Sequence, residues 1–358
     1  MADMVKGNHA MAEAAIRAGM HIYCGYPITP SSEVMEYLSA NAEKAGRVYI
    51  QAENEVSAMT MIYGAASVGA RALTATSGLG MSLKQEGIAY CQQFEYPAVL
   101  ISVVRYGDGL GQLLSGQTDY LRETRGGANG DYRNIVLSPS SVQEACDLVY
   151  GAFDLSQKYR NIVTILTEGA LGQMMEECEF PPMREKIPYA QWGMDGTKGP
   201  NNVDPKNLRA NMWKQGQEIM NVKRELMREN EQRWESEFLE DAEWVMFAYG
   251  MPGRVMKGVV RAMRAEGEKV GYIRLISLWP FPEKAFKAIN PKVKGFISME
   301  TCDEGQMVED VALYGRKRGS GFGDVPIYSL ICMPGVPSRQ YVREKFEDIR
   351  SGKVKEVF

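Results

Sequence analysis

The 358-residue chain has two histidines, His9 and His21, and six cysteines, no two of them in a CxxC pair. So few histidines leave a His-based metal site or a Ser–His triad without material. Without thiolate pairs the usual zinc and iron–sulfur ligand spacings are excluded. The six cysteines are therefore expected as isolated buried thiols in a reducing compartment. There is no basic excess either: 41 Lys and Arg stand against 45 Asp and Glu, for a net charge of −4. That balance lacks the footprint of a nucleic-acid binder. Long hydrophobic runs are missing too. The longest, AVLISVV at 98–104, suits a buried strand and falls far short of a membrane span. The first residues contain no signal-peptide core, so a cytoplasmic protein is expected. Chemistry must then rest on acids, a cofactor or another chain.

What is present is an ordinary globular composition, 45% hydrophobic and 24% charged, with enough apolar material for a core. The length predicts two or three domains. Short apolar strands alternate with helices through the first half: helix at 7–19, strand HIYCGYP, a helix opened by Thr29 as cap and Pro30 in the first turn, strand RVYIQA, helix 55–68, strand RALTATS, helix 78–90, strand AVLISVV. NIVLSPSSVQEACDL then reads as strand, serine cap and helix, and NIVTILTEG as another strand. Such alternation predicts an α/β fold of two doubly wound domains with mainly parallel sheets. The expected division is 1–185, a linker and long charged helix at 186–240, and a second domain at 241–358. In the helix, Ile219, Val222 and Leu226 form a narrow apolar stripe, expected to lie across a domain surface. KVGYIRLISLWPF is expected as one strand, and IYSLICMPG as the last.

Three stretches carry candidate chemistry. Glu55 opens a helix of small residues, AENEVSAMTMIYGAASVG. It is either an ordinary first-turn acid, favoured by the helix dipole, or a buried catalytic carboxylate. Ala58, Gly64, Ala65, Ala66, Ser67 and Gly69 would let a partner or a flat ligand approach, which predicts a large interface. GYPITPSSE at 25–33 joins a strand to a helix, the place where open α/β sheets bind ligands. Thr29, Ser31 and Ser32 there offer donors to an anion or simply cap a helix. Arg105 ends an apolar strand ahead of a glycine-rich loop, as a carboxylate clamp or a structural ion pair. The GDG at 107–109, with Asn129 and Asn134 downstream, has the look of a thiamine–magnesium motif, but GQLLSGQTDY follows in place of a helix.

Taken in order, GYPITPSSE, AENEVSAMTMIYGAASVGARALTATSGLGMSL, VVRYGDGLG…SGQTDY, TRGGANGDYRNIVLSPSSVQEACDL and SMETCDEGQMVEDVAL resemble the alpha subunit of thiamine-dependent 2-oxoacid:ferredoxin oxidoreductases. The resemblance spans nearly the whole chain and is greatest for the branched-chain, 2-oxoisovalerate type. It implies a pyrimidine-binding domain for thiamine diphosphate at 1–185 and a transketolase C-terminal-like domain at 241–358. It implies that Mg²⁺ and the diphosphate lie on a beta subunit, and that iron–sulfur clusters lie on partner chains, a gamma subunit and a ferredoxin-like delta subunit. Electrons would pass to ferredoxin while coenzyme A takes the acyl group of the 2-oxoacid. By the same resemblance Glu55, not Glu53, activates the cofactor by hydrogen bonding N1′ of the aminopyrimidine, so that thiazolium C2 loses its proton. Thr29 and Arg105 match the substrate-binding positions, and Pro27 and Ile28 join Glu55 as cofactor contacts. A shielded carboxyl explains an acid among small, apolar residues. The sequence departs from the family's glycine–proline loop after the arginine, having YGDG, which leaves the choice of 2-oxoacid open. A thiamine enzyme complete on one chain and a non-catalytic scaffold subunit remain as alternatives.

Overall fold

A computed structural model describes residues 2–184, 187–194, 196 and 213–358; the side chains of 213–215 and most of the expected linker lie outside the described residues. The strands are β1 (Asp3–Lys6), β2 (Ile22–Gly25), β3 (Val48–Gln51), β4 (Ala72–Thr76), β5 (Ala98–Tyr106), β6 (Gln112–Ser115), β7 (Ile135–Leu137), β8 (Ile162–Glu168), β9 (Met175–Cys178), β10 (Trp234–Glu237), β11 (Trp244–Tyr249), β12 (Val270–Leu275), β13 (Ser277–Trp279), β14 (Gly295–Glu300) and β15 (Ile327–Ile331). The helices are α1 (Gly7–Arg17), α2 (Ser32–Asn41), α3 (Glu55–Ser67), α4 (Gly78–Phe94), α5 (Tyr120–Arg125), α6 (Val142–Tyr159), α7 (Gly169–Gln173), α8 (Trp213–Asn230), α9 (Gly250–Ala265), α10 (Met307–Gly315) and α11 (Arg339–Arg350).

The first sheet runs β13-β7-β8-β5-β4-β2-β3, with β6 hairpinned onto β5; the second runs β10-β12-β11-β14-β15. Both are parallel except for edge partners: β13 on β7, β6 on β5 and β10 on β12 are antiparallel. β4 and β8 are buried at every residue and β5 at all but its last, as parallel strands covered on both faces must be. β1 and β9 form a separate antiparallel pair that ties the start of the chain to the end of the first unit.

Three expectations are corrected here. The charged helix stops at Asn230 instead of running to about 240, and Trp234–Glu237 turns back as the edge strand of the second sheet. Within α8 the stripe of Ile219, Val222 and Leu226 is exposed; Met220, Lys223 and Met227 face inward. The inward face is chosen by its partners: the Lys223 ammonium donates to Glu95 at 2.9 Å and to the Arg160 carbonyl at 3.2 Å, and Asn161 Nδ2 donates to Met227 Sδ. KVGYIRLISLWPF is not one strand either. The chain breaks at Ile276, whose amide donates to the Arg233 carbonyl, and Ser277–Trp279 crosses to pair with β7 of the first sheet. The second unit also ends in a helix, α11, that the pattern reading did not assign.

Buried polar groups join the two sheets. Gln117 receives the Thr301 amide on its side chain, donates its own amide to Thr301 O, and donates Nε2 to Glu168 at 2.8 Å. Glu168 also accepts from the Met251 amide, in the first turn of α9. Burial pushes the Glu168 carboxyl from 4.5 up to about 7, against those hydrogen bonds. Between these values the folded chain holds a proton that the unfolded chain gives up. The stabilisation is complete below pH 4.5, fades through the window and is gone above about 7, a change of about 3 kcal/mol. Glu168→Gln keeps an acceptor for both donors and is expected to gain on the wild type by about that amount between pH 5 and pH 8. Urea unfolding at the two pH values measures it; a pH-independent difference rejects the assignment.

Candidate active site

The carboxyl ends of β2, β3, β4 and β5 converge on one edge of the first sheet, and the loops that leave them carry the candidates. β2 lies between β3 and β4 and β4 between β2 and β5, so the crossovers diverge here, the kind of switch point at which open α/β sheets bind ligands in a cleft. Residues 25–33 follow β2. The expected cap is corrected: the helix starts at Ser32, and neither Thr29 nor Ser31 caps it through its side chain. Ser31 instead donates its amide and its Oγ to the Ile28 carbonyl, and Asn8 of α1 donates to the Pro30 carbonyl at 2.9 Å. This tight turn leaves Pro27 and Thr29 exposed and Ile28 half-buried at the mouth of the cleft.

Glu55 stands in the first turn of α3, whose start is capped by Asn54 accepting from the Ser57 amide. It is 5% exposed. Glu53, two residues earlier, is exposed and accepts from Ser57 Oγ. The two acids of this stretch are thus separated by burial. Arg105, at the end of β5, is 8% exposed; its Nη1 donates to the Thr29 carbonyl at 3.4 Å and its buried Nε has no partner among the described residues.

The first turn of α4 brings these two together. Gly78, at φ 45°, lies against the guanidinium: a Cβ there would fall 2.9 Å from Arg105 Nε. Gly80 lies against the carboxyl: a Cβ would fall 2.6 Å from Glu55 Oε1 and strike Thr76 Oγ1. Two glycines thus let a helix N-terminus approach a buried acid and a buried base at once. The buried Thr76 Oγ1 and Ser77 Oγ have no partner among the described residues. Below Arg105, Arg122 donates to Asp119 at 2.7 Å, to Glu123 at 3.1 Å and to the Gly78 carbonyl at 3.0 Å, and so holds the turn from beneath. Burial pushes the Asp119 and Glu123 carboxyls up, and Arg122 pulls both back.

Pattern reading singled out Thr29, Glu55 and Arg105, and the fold sets all three on one edge. It did not single out Gly78, Gly80, Arg122 or Lys84. Lys84 left a visible signal, a lysine in the buried stripe Met81, Ile88 and Cys91 of α4. The small-residue expectation for α3 is partly corrected: Ala58, Ala66 and Ser67 pack inward. The outer face is Val56, Thr60, Met61, Gly64 and Val68. Beside it, α3 and α4 form a groove of about 310 Å³ lined by Val56, Tyr63, Leu83 and Tyr90 among others. The GDG motif occupies the hairpin turn between β5 and β6, not the approach to a helix. Its neighbour Tyr106 donates to Asp303 of the second unit. At Gly305–Gln306, the anion on the helix amides is the chain's own Glu300: it accepts from the amides of Gln306, Met307 and Val308 at 2.7–3.0 Å. No described helix is long and apolar enough to cross a membrane.

Comparison with known proteins gives this site its setting. Residues 13–240 match the family described as pyruvate flavodoxin/ferredoxin oxidoreductase, thiamine diphosphate-binding, and residues 242–331 match core domain II of pyruvate:ferredoxin oxidoreductase. The class is that of thiamine diphosphate-binding oxidoreductases. The chain belongs to the 2-oxoacid:ferredoxin oxidoreductase family, as one subunit of a multi-chain enzyme. It is 44% identical to the ketoisovalerate oxidoreductase subunit VorB of Methanothermobacter marburgensis, over 91% of this chain and 92% of that one. It is 34% identical to the 2-oxoglutarate synthase subunit KorA of Methanocaldococcus jannaschii, over 81% and 86%. Its fold matches the 2-oxoglutarate:ferredoxin oxidoreductase from Magnetococcus marinus, solved with 2-oxoglutarate, coenzyme A and succinyl-CoA bound. That match has a TM-score of 0.82 at 22% identity and covers 97% of this chain and 65% of that chain.

Proposed function

We propose that this chain binds the aminopyrimidine half of thiamine diphosphate and the carboxylate of a branched-chain 2-oxoacid, within an enzyme that forms acyl-CoA and CO₂ and reduces ferredoxin. The observation that carries this is the convergence of buried Glu55 and buried Arg105 on the first turn of α4. The residues fit the cofactor's ring: a shielded carboxyl and the unpartnered Thr76 and Ser77 hydroxyls suit its polar edge, and Pro27 and Ile28 its flat face. When bound, thiamine diphosphate supplies the carbon that adds to the keto group and the ring that accepts the electron pair left by CO₂.

The chain's own residues do the rest. Glu55 holds a proton at the ring nitrogen, in surroundings that keep water from competing for it. Arg105 presents to the substrate carboxylate a guanidinium whose Nε has no partner among the described residues, and Thr29, on the exposed lip, completes the anion site. The apolar face of α3 and α4 beside Glu55 is where a beta subunit holding the diphosphate and Mg²⁺ would seat. Gamma and ferredoxin-like delta subunits, with the iron–sulfur clusters, would carry electrons away. The higher identity to VorB than to KorA supports the branched acid over 2-oxoglutarate.

The test is viologen reduction by the reconstituted complex with coenzyme A and either 2-oxoisovalerate or 2-oxoglutarate. A preference for 2-oxoglutarate would overturn the substrate assignment. Arg105→Met is expected to raise KM for the preferred acid by about 50-fold, the loss of a charged hydrogen-bonded contact worth about 2.3 kcal/mol, with a smaller change in kcat. An unchanged KM would make Arg105 a structural residue.

A further inference from the structure

Lys84 is 0% exposed, on the inner face of α4. A cation that deep needs a compensating charge. Its ammonium donates to Thr74 Oγ1 at 3.1 Å. Gly80 and Lys84 are four residues apart and share one face of the helix; Thr74 and Thr76 are two apart and share one face of β4. The pairings therefore form two rungs. On the upper rung, Gly80 meets Thr76 Oγ1 and Glu55 Oε1; on the lower, Lys84 meets Thr74. The charged or titratable groups acting on Lys84 are Glu55 from α3 and the Cys24 thiol from β2, while β4 offers a threonine. Glu53 is exposed and engaged with Ser57.

We propose that Lys84 is a positioning residue for Glu55: its buried positive charge, one helical turn beneath the carboxyl, holds that carboxyl aimed into the cleft. The proposal rests on the reading of Glu55 given above. Burial pushes the Lys84 ammonium down to about 8, while Glu55 pulls it back up. The cation is therefore present at pH 7 and lost as the pH rises through 8, and its hold on Glu55 goes with it.

Lys84→Met, Lys84→Gln and Glu55→Gln are compared in the reconstituted complex. For each, thiamine diphosphate affinity is read by quenching of intrinsic fluorescence, and kcat and KM are followed across pH. Lys84→Met is expected to lower kcat at pH 7 about tenfold and to abolish the fall in kcat that the wild type shows as the pH rises through 8, with KM for the 2-oxoacid little changed. Wild-type cofactor affinity should fall above pH 8, and the variant's should not. Lys84→Gln keeps a donor for Thr74, so it separates the charge from the hydrogen bond and decides the matter if the methionine variant fails to assemble. A Lys84 variant that assembles with wild-type pH profile and cofactor affinity, beside an inactive Glu55→Gln, overturns the proposal alone. A fully active Glu55→Gln removes the reading on which it rests.

Discussion

Glu55→Gln is expected to assemble normally and to cut turnover by about 10²- to 10⁴-fold, the usual loss when a positioned acid–base group is removed. The substitution is nearly isosteric, so the close approach of Gly80 is kept, and Asn54 still caps α3. What goes is the carboxyl's ability to hold and release a proton 5% exposed from solvent. Glu53→Gln is the internal control. It lies in the same stretch with its carboxyl in water and should leave turnover within about twofold, since surface substitutions of this kind rarely matter. Viologen reduction by the complex measures both. Equal activity of Glu55→Gln and wild type would return Glu55 to the ordinary first-turn acid that the dipole favours.

The second large effect is on stability. Glu300→Ala should destabilise the chain by at least about 4 kcal/mol, because it leaves buried donors without acceptors. Glu300 is 0% exposed and accepts from the amides of Gln306, Met307 and Val308 and from Ser298 Oγ. The amides are the unsatisfied start of α10, so the carboxylate does for this helix what a cap does elsewhere. Burial pushes the Glu300 carboxyl up, and the donors pull it down. The damage should reach the first unit too. Gln306, held at that turn, accepts from the Leu121 amide and donates to Thr118 O. A shift in the urea midpoint corresponding to less than about 1 kcal/mol would contradict this account.

Much of the frame was legible because its causes are local. The alternation of apolar strands with helices needs no tertiary knowledge, and neither does the serine that opens α6: Ser141 accepts from the Glu144 amide as its place before the helix suggests. Errors arose where a long-range partner decided. Thr29 and Pro30 look like a cap, yet Asn8 of α1 holds that turn open to the cleft. Ile219, Val222 and Leu226 look like a buried stripe, yet Glu95 and Asn161 select the neighbouring face. Ser277–Trp279 continues its strand in sequence, but finds its hydrogen bonds on the other sheet.

Residue order thus settled the parallel α/β architecture, the family resemblance, and Thr29, Glu55 and Arg105 as residues at strand ends, since periodicity and polarity act over a few neighbours. Folding added the relations between them. Which of Glu53 and Glu55 is buried, how Gly78 and Gly80 bring the guanidinium and the carboxyl to one turn, and how Lys84 comes to lie beneath them all depend on crossovers that carry β3 past β2 before β4 returns. Such contacts span tens of residues, and burial is a property of what packs opposite; neither is written in any short stretch of chain.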